Sequence, residues 1–587
     1  VKKERSQVDI RLELSKNKRK KHVLSTVRIA LFLGMVATFI IGATDHSWVF
    51  LVFAGFVVLF FRFVLAFIRV QDDIAFLEQL LIMDQETAKR KARNLQDFDS
   101  GTEFLDKAHP FSNDLDLFGQ HSLFQMLNHT VSRDGAQLLA DWMKREMDAD
   151  TALSRQSAIR ELSANRDFTR SFEAIGRAFL KDEKSKKPFF QWLSELENWP
   201  KWYFIPTFIG PIGGVLLLAM GVSEVISPAW LGIWIIVGIG LMSSIFMKMN
   251  KISASMPLLS DLKTYKKWVE QLENTGFRDS YLNSLQQSFL TQHLKGSQIL
   301  RELEQKTFLL QNRFNLMYLI ANAFFWLDFL IYFRAIRWKK NHGYLMSDWE
   351  EKLKEWQVLV SLASFTFEEH LDVLPIWNKS TEILAMDLKH PLILPNTAIG
   401  NDFHLGKEQK TVLLTGSNMS GKTTFMRTLG INMVLANLGL GIFGKKFEIG
   451  AFGLFTSMRN TDNLGESVSS FYAELGRIKK LLDMAANNQP IFYLLDEILK
   501  GTNTIDRIMG SEALIRQLAA SPCKGIISTH DIELSQLEDK LPYVINRSFH
   551  SQIFEDKILF DYTLKEGPCP SFNAHKLMEL MGIKFQE

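Results

Sequence analysis

Residues Thr415–Thr424 read TGSNMSGKTT. Gly416, Gly421, Lys422 and Thr423 complete the pattern G-x-x-x-x-G-K-[ST], a loop whose backbone amides cradle phosphates. Its flanks suit that reading. Val412–Leu414 form an incoming apolar strand, and Phe425–Leu435 read as the outgoing helix, so loop amides and helix N-terminus face one point. Asn418 and Thr424 lie in the same loop. Lys422 would bring positive charge to the β- and γ-phosphates, and Thr423 a hydroxyl for Mg²⁺.

Working outward, the next decisive stretch is IFYLLDE at Ile491–Glu497. An apolar strand ending in two carboxylates can divide two tasks. Asp496 would hold the Mg²⁺ shell, and Glu497 would polarise an attacking water in line with the γ-phosphate. A third apolar strand, Gly525–Ser528, ends in Thr529 and His530. A histidine at such a strand end can sense a γ-phosphate by hydrogen bonding; taken alone it would more often be an ordinary surface or packing histidine. Strands alternate with helical stretches only from about residue 390 onward, which predicts a parallel sheet with crossover helices.

Upstream the pattern is helical and partly membrane-like. Leu24–Ala43 and Trp48–Ile68 are each long enough to span a hydrocarbon core, which takes about 20 residues. KNKRKK at Lys16–Lys21 and KRKARN at Lys89–Asn94 flank this pair and place both its ends in the cytoplasm. A second pair, Trp202–Val222 and Pro228–Met247, has a turn without Lys or Arg and is flanked by Lys201, Lys248 and Lys251. Four spans keep the nucleotide loop on the ATP side, whereas five would not. A further apolar run, Phe314–Phe333, which includes Asn315, Asn322 and Asp328, is on that count expected to be a buried soluble helix.

The expected division is a basic cytoplasmic tail (1–23), a first membrane hairpin (24–70), a helical core and lever (74–200), a second hairpin (201–248), a helical return (252–384) and an α/β domain (385–587). With 587 residues the chain exceeds one compact core, and 47% apolar with 23% charged residues describes a folded protein. A net charge of +3 does not by itself imply nucleic acid. The tail has nine Lys/Arg against three acids and reads as a juxtamembrane anchor to acidic lipid, with non-specific DNA contact as the other option. Cys523 and Cys569 cannot make a disulfide framework.

Several further stretches occur in order: KHPLI at Lys389, SVSSFYAELGRIKKLL at Ser467–Leu482, LKGTNTIDR at Leu499–Arg507, THDIELSQL at Thr529–Leu537 and FDYTLKEG at Phe560. Together with TGSNMSGKTTFMRTLGINMVLANLG they resemble the MutS family of ATPases, relatives of the ABC ATPases. LFQMLNHTVSRDGAQLLADWM (123–143), RQSAIREL (155–162) and LVSLASF (359–365) resemble that family's helical core and levers. The resemblance implies ATP and Mg²⁺ as cofactors, and an α/β P-loop ATPase domain behind the helical region. It implies Gly416, Asn418, Gly421, Lys422, Thr423 and Thr424 as the nucleotide loop, Thr423 and Asp496 as metal ligands, Glu497 as water-activating acid and His530 as switch. Ser469 and Ser470 match the family's Ser-Thr signature, which reaches the nucleotide of the other subunit; that implies a homodimer with composite sites. A serine hydroxyl at a helix start can do this, although plain helix capping is the bland alternative.

The sequence also departs from the family. Residues 1–73 are taken up by tail and hairpin, so the family's mismatch-recognition domain is expected to be missing. FLE at Phe76 and FEE at Phe367 fit the mismatch-reading tripeptide but sit in helical patterns, and neither is taken as a reader. The adenine-stacking aromatic falls at Ala398. Two functions fit these residues. One is a dimeric ATPase anchored in the inner (cytoplasmic) membrane that handles DNA without reading mismatches, with an unidentified membrane or repair partner. The alternative is a DNA-independent mechanical ATPase acting on a membrane or envelope component. A transporter fits poorly, because the spans carry arginines only near their ends.

Overall fold

The computed structural model describes residues 6–44, 48–182, 184–197, 199–223, 225–290, 294–459, 470–554 and 557–570. The chain divides into two compact units. One comprises Val1–Asp84, Thr130–Gly135 and Asp167–Gln357; the other comprises Gln85–His129, Ala136–Arg166 and Val358–Glu587.

The first unit is built from helices. Helix Gln7–Thr44 begins within the basic segment, so Lys16–Lys21 ride on its first turns. It pairs with helix Val49–Lys91 through Phe32 against Phe60 and Phe39 against Phe50, and the basic stretch is tied down by Lys18–Glu78 at 2.8 Å. Below the apolar windows Ile10, Leu77, Leu80 and Met83 bury against Ala174. Among the described residues four helices are long and apolar enough to cross a membrane: Gln7–Thr44, Val49–Lys91, Lys201–Gly221 and Ala229–Ser255. Their apolar windows are only 0–22% buried within the chain, so this chain's own core is not what covers them. A flat aromatic pair, Phe172 on Trp268 at 4.7 Å, anchors the helical body, and the Trp268 indole donates to the Phe172 carbonyl.

The Phe314–Phe333 run differs from expectation. It is two helices, Leu316–Phe325 and Leu327–His342, bent by 93°. Trp326 has φ 50, a left-handed conformation from which an α-helix cannot continue. Nor is the run uniformly buried: Leu316 and Met317 are 70% and 73% exposed.

The second unit joins helical segments to a C-terminal α/β domain, as the order of patterns along the chain suggested. Its strands are β1 (Ile376–Trp377), β2 (Ile383–Leu388), β3 (Asn401–Leu405), β4 (Thr411–Gly416), β5 (Lys446–Ile449), β6 (Gly453–Ser457), β7 (Ile491–Asp496), β8 (Lys524–Thr529), β9 (Val544–Phe554) and β10 (Lys557–Glu566). Among the described residues they form a four-stranded sheet, β1-β5-β2-β3, and a six-stranded sheet, β10-β9-β4-β8-β7-β6. Strands β6, β7, β8, β4 and β9 run parallel, and β10 closes one edge antiparallel. The central strands are continuously apolar because both faces are covered, which gives runs such as IFYLL rather than alternation. Helix Lys422–Asn437 is buried along nearly its whole length. The preceding helical segment braces it: Asp116 pairs with Arg427 at 2.7 Å, and Leu115 packs against Gly430. Asp114, buried, accepts from the Thr456 hydroxyl at 2.7 Å and fixes the end of β6.

Candidate nucleotide site

Strand β4 delivers the Gly416–Thr423 loop at the carboxyl edge of the parallel sheet, where ligands of open α/β sheets bind. Two glycines make the turn. Gly416 has φ 151, and a Cβ there would come within 2.7 Å of the Phe549 carbonyl oxygen. Gly421 has φ 108, at the helix N-cap. Asn418 lies exposed on the loop, and Thr424 lies exposed in the first helical turn. The Ser420 hydroxyl is buried with no hydrogen-bond partner among the described residues.

Lys422 is 5% exposed, and its ammonium donates to the carbonyls of Gly416 (2.7 Å) and Ser417 (3.0 Å). Burial lowers its pKa, against the pull of Glu497 and Asp496. A buried cation held only by neutral carbonyls, with carboxylates near, is under-neutralised and suited to an incoming phosphate.

The carboxylates arrive from β7. Asp496 ends the strand, and its Oδ2 accepts from the Thr423 hydroxyl at 2.7 Å across 73 residues of sequence. Ser528 on β8 donates to the other oxygen, Oδ1. Hydroxyl and carboxylate are hard oxygen donors that suit Mg²⁺, which is commonly held by one or two protein groups plus phosphates. Among the described residues there is no cluster of three or more His, Cys, Asp or Glu that could hold a metal.

Glu497 sits just past the strand with φ 48, uncommon for a residue with a side chain. Its amide donates to the Ser528 carbonyl at 3.0 Å, which locks the turn. His530 Nε2 meets its Oε1 at 2.5 Å, and Lys500 Nζ meets its Oε2 at 2.6 Å. The His530 hydrogen bond, followed by Lys500 and working against burial, holds the Glu497 carboxyl down at about 2. Helix Ser470–Ala486 reaches the same turn: Glu474 accepts from the Leu499 amide, and burial raises its pKa. Lys500, Glu474 and Ser528 were not singled out from sequence. Lys500 stands three residues after Glu497, a spacing that could have signalled the pair. Ser469 lies outside the described residues; Ser470 begins the helix.

Beside the loop is a cavity of roughly 190 Å³, walled in part by His390, Ala398, Asn401, Phe425, Phe549 and Tyr562. Ala398 brings no aromatic ring. Tyr562 does, from a bulge in the β9–β10 pair at φ 52. Asn401 holds that bulge from both sides, donating to the Tyr562 carbonyl at 3.0 Å and accepting from the Leu564 amide at 2.7 Å. His390 is pushed down to about 4 by burial, with Arg427 and His121 adding to the effect.

The MutS domain V family description matches residues 412–583, which contain the loop and all three strand ends. Similar proteins include the DNA mismatch repair protein MutS of Geobacillus sp. (strain WCH70), 30% identical over 230 residues, covering 38% of this chain and 26% of that protein. The protein of the same name from Bacillus licheniformis is 31% identical over 230 residues, with coverages of 38% and 26%. That of Thermotoga maritima is 28% identical over 198 residues, with coverages of 33% and 25%. The chain thus spans about a quarter of the length of these curated relatives.

Proposed function

We propose, from the premise that this chain belongs to the MutS family through its domain V, that it is a Mg²⁺-dependent ATPase anchored in a membrane. The observation carrying the reading is the convergence of Lys422, Thr423, Asp496, Glu497 and His530 at one edge of the six-stranded sheet. In this reading the loop amides and Lys422 bind the phosphates. Thr423 and Asp496 would hold Mg²⁺, whose chemistry there would be to neutralise charge on the phosphate oxygens. Tyr562 supplies the aromatic face for the base that Ala398 cannot.

Glu497 orients water and takes its proton. A carboxylate held near 2 is a poor base, so the pairing with His530 and Lys500 describes a restrained state. When His530 and Lys500 turn toward phosphate oxygens, Glu497 regains basicity. That exchange makes hydrolysis depend on the γ-phosphate being in place. Ser469 from a second copy completes the site, so the working unit is a homodimer. DNA is the partner this family membership favours, bound without mismatch reading.

The second reading, a DNA-independent mechanical ATPase, is favoured by the helices Lys201–Gly221 and Ala229–Ser255, which lie inside the helical unit rather than at a chain end. In both readings the four apolar helices span the inner (cytoplasmic) membrane, with the α/β domain in the cytoplasm. Binding of a fluorescent ATP analogue to the full chain in detergent tests the site. Binding that is lost in Lys422→Ala is expected; no binding by the unaltered chain would overturn the reading. Retention in the membrane pellet after alkaline carbonate is the matching test for the anchor.

A further inference from the structure

The broken helix pair at Leu316–His342 lies along the second apolar hairpin. We infer that it is a re-entrant element, dipping into the bilayer beside that hairpin and presenting one face to lipid acyl chains. The inference rests on the membrane reading proposed above.

The contacts trace the path. At its start Ser253 donates to the Leu310 carbonyl at 3.0 Å, and Arg313 donates to Asn250 at 3.0 Å. Eleven residues beyond Arg313, the Trp234 indole donates to the Phe324 carbonyl at 2.8 Å, and Trp326 stacks on Trp234 at 4.1 Å. The segment therefore descends helix Pro228–Ser255 from residue 253 toward residue 234. It then climbs helix Phe204–Val222: Phe333 packs on Phe208 and Phe204, Phe329 on Tyr203, and Tyr332 stacks on Trp199. Lys339 finally donates to the Glu195 carbonyl at 2.7 Å. Tyr203 and Lys248 face each other, so entry and exit are at the same end of the hairpin.

Depth follows from helix geometry. Trp326 sits against Gly238, nine residues below Met247, or about 14 Å at 1.5 Å per residue. That is close to half of a hydrocarbon core of about 30 Å. Three glycines make room: a Cβ on Gly238 would lie 2.0 Å from the Trp326 indole nitrogen, one on Gly210 2.7 Å from its Cβ, and one on Gly214 2.3 Å from the Phe324 carbonyl oxygen. Small residues are how membrane helices admit a close neighbour.

Two of the three polar groups in the run, Asn322 and Asp328, are turned inward, while Asn315 stays exposed and caps helix Leu316–Phe325. Arg313 and Asp328 form a two-pronged ion pair at 3.1 and 2.7 Å, with side chains 3% and 5% exposed. Tyr318 donates to Asp328 at 2.6 Å, and Asn322 accepts from its amide at 2.9 Å. Charges inside a bilayer are tolerated when paired and facing protein in this way. Outward the same segment shows Phe314, Leu316, Met317, Leu319 and Ile320, between 45% and 73% exposed. This apolar face continues the bare apolar surface of the two hairpin helices, which commits it to the same solvent, acyl chains. A segment that enters and leaves on one side also keeps the α/β domain on the side set by four spans.

Nitroxide labels at Leu319, at Ile236 in the hairpin and at Tyr344 beyond the exit test this in the full chain reconstituted into phospholipid vesicles. Accessibility to oxygen and to a water-soluble nickel chelate is read at each. Leu319 is expected to match Ile236, with nickel accessibility severalfold below Tyr344. Gly238→Val, which strikes the Trp326 indole, should raise nickel accessibility at Leu319 but not at Ile236. If Leu319 matches Tyr344 while Ile236 reads lipid, the re-entrant element is refuted and the four spans stand. If Ile236 also reads water, the membrane reading fails and takes the inference with it.

Discussion

Glu497→Gln keeps the shape of the strand end and removes one charge. The amide still offers an oxygen to His530, and the Glu497 amide bond to Ser528 is untouched, so β7 and β8 should hold their register. What is lost is the proton acceptor. General-base catalysis contributes about 10²–10⁴ in rate, so turnover should fall by at least about 100-fold while ATP stays bound. Lys500→Met separates this effect from loss of the ion pair. Lys500 is 43% exposed and its loss leaves the carboxylate in place, so Lys500→Met should lower the rate less than Glu497→Gln does. Single-turnover phosphate release, measured beside retention of labelled ATP, reads both quantities. If Glu497→Gln turns over within twofold of the unaltered chain, or if Lys500→Met is the more damaging change, the base has been misassigned.

Three further outcomes are expected. His530→Ala removes the leading cause of the depressed Glu497 pKa, so that pKa rises and Glu497 is protonated at higher pH; the acid limb of the kcat/KM profile should move to higher pH. His390, held near 4 when folded against an ordinary 6.5, takes up its proton more readily unfolded; stability should fall as pH drops from about 6.5 to about 4, by on the order of 3 kcal/mol, and thermal unfolding of His390→Gln should show a shallower pH slope. Tyr562→Ala should weaken ATP binding by roughly 2- to 12-fold if its ring stacks on the base, since aromatic pairs add about 0.5–1.5 kcal/mol, and Tyr562→Phe should retain binding in the same titration.

The order of the fold was legible because burial leaves local marks. Both faces of β4, β7 and β8 are covered, which writes continuous apolar runs, and each run ends in the polar residues it carries to the sheet edge. The glycine positions of the loop were legible because φ at Gly416 and Gly421 excludes most side chains. Less legible were pairings made by tertiary structure. Glu474 meets the Leu499 amide through a separate helix, and Tyr562 reaches the cavity through a bulge held by Asn401. Nothing local in SFYAEL or DYTLKE announces either. A count of spans says nothing of how the Phe314–Phe333 run folds, and its two helices part at Trp326. The structure pairs Asp328 with Arg313 and Asn322 and leaves Asn315 exposed as a helix cap, and the break at Trp326 lies in a conformation that sequence propensity assigns to glycine or asparagine.

The most direct measurement is ATP turnover by the full chain in phospholipid vesicles, with and without Mg²⁺, with Lys422→Ala as control, and with duplex, mismatched or branched DNA at low and moderate salt. Mg²⁺-dependent turnover, absent in Lys422→Ala and raised by DNA without preference for a mismatch, is the predicted result. Turnover indifferent to every DNA form would select the mechanical ATPase instead. Turnover no greater than that of Lys422→Ala under all these conditions would contradict the assignment of this site to ATP hydrolysis.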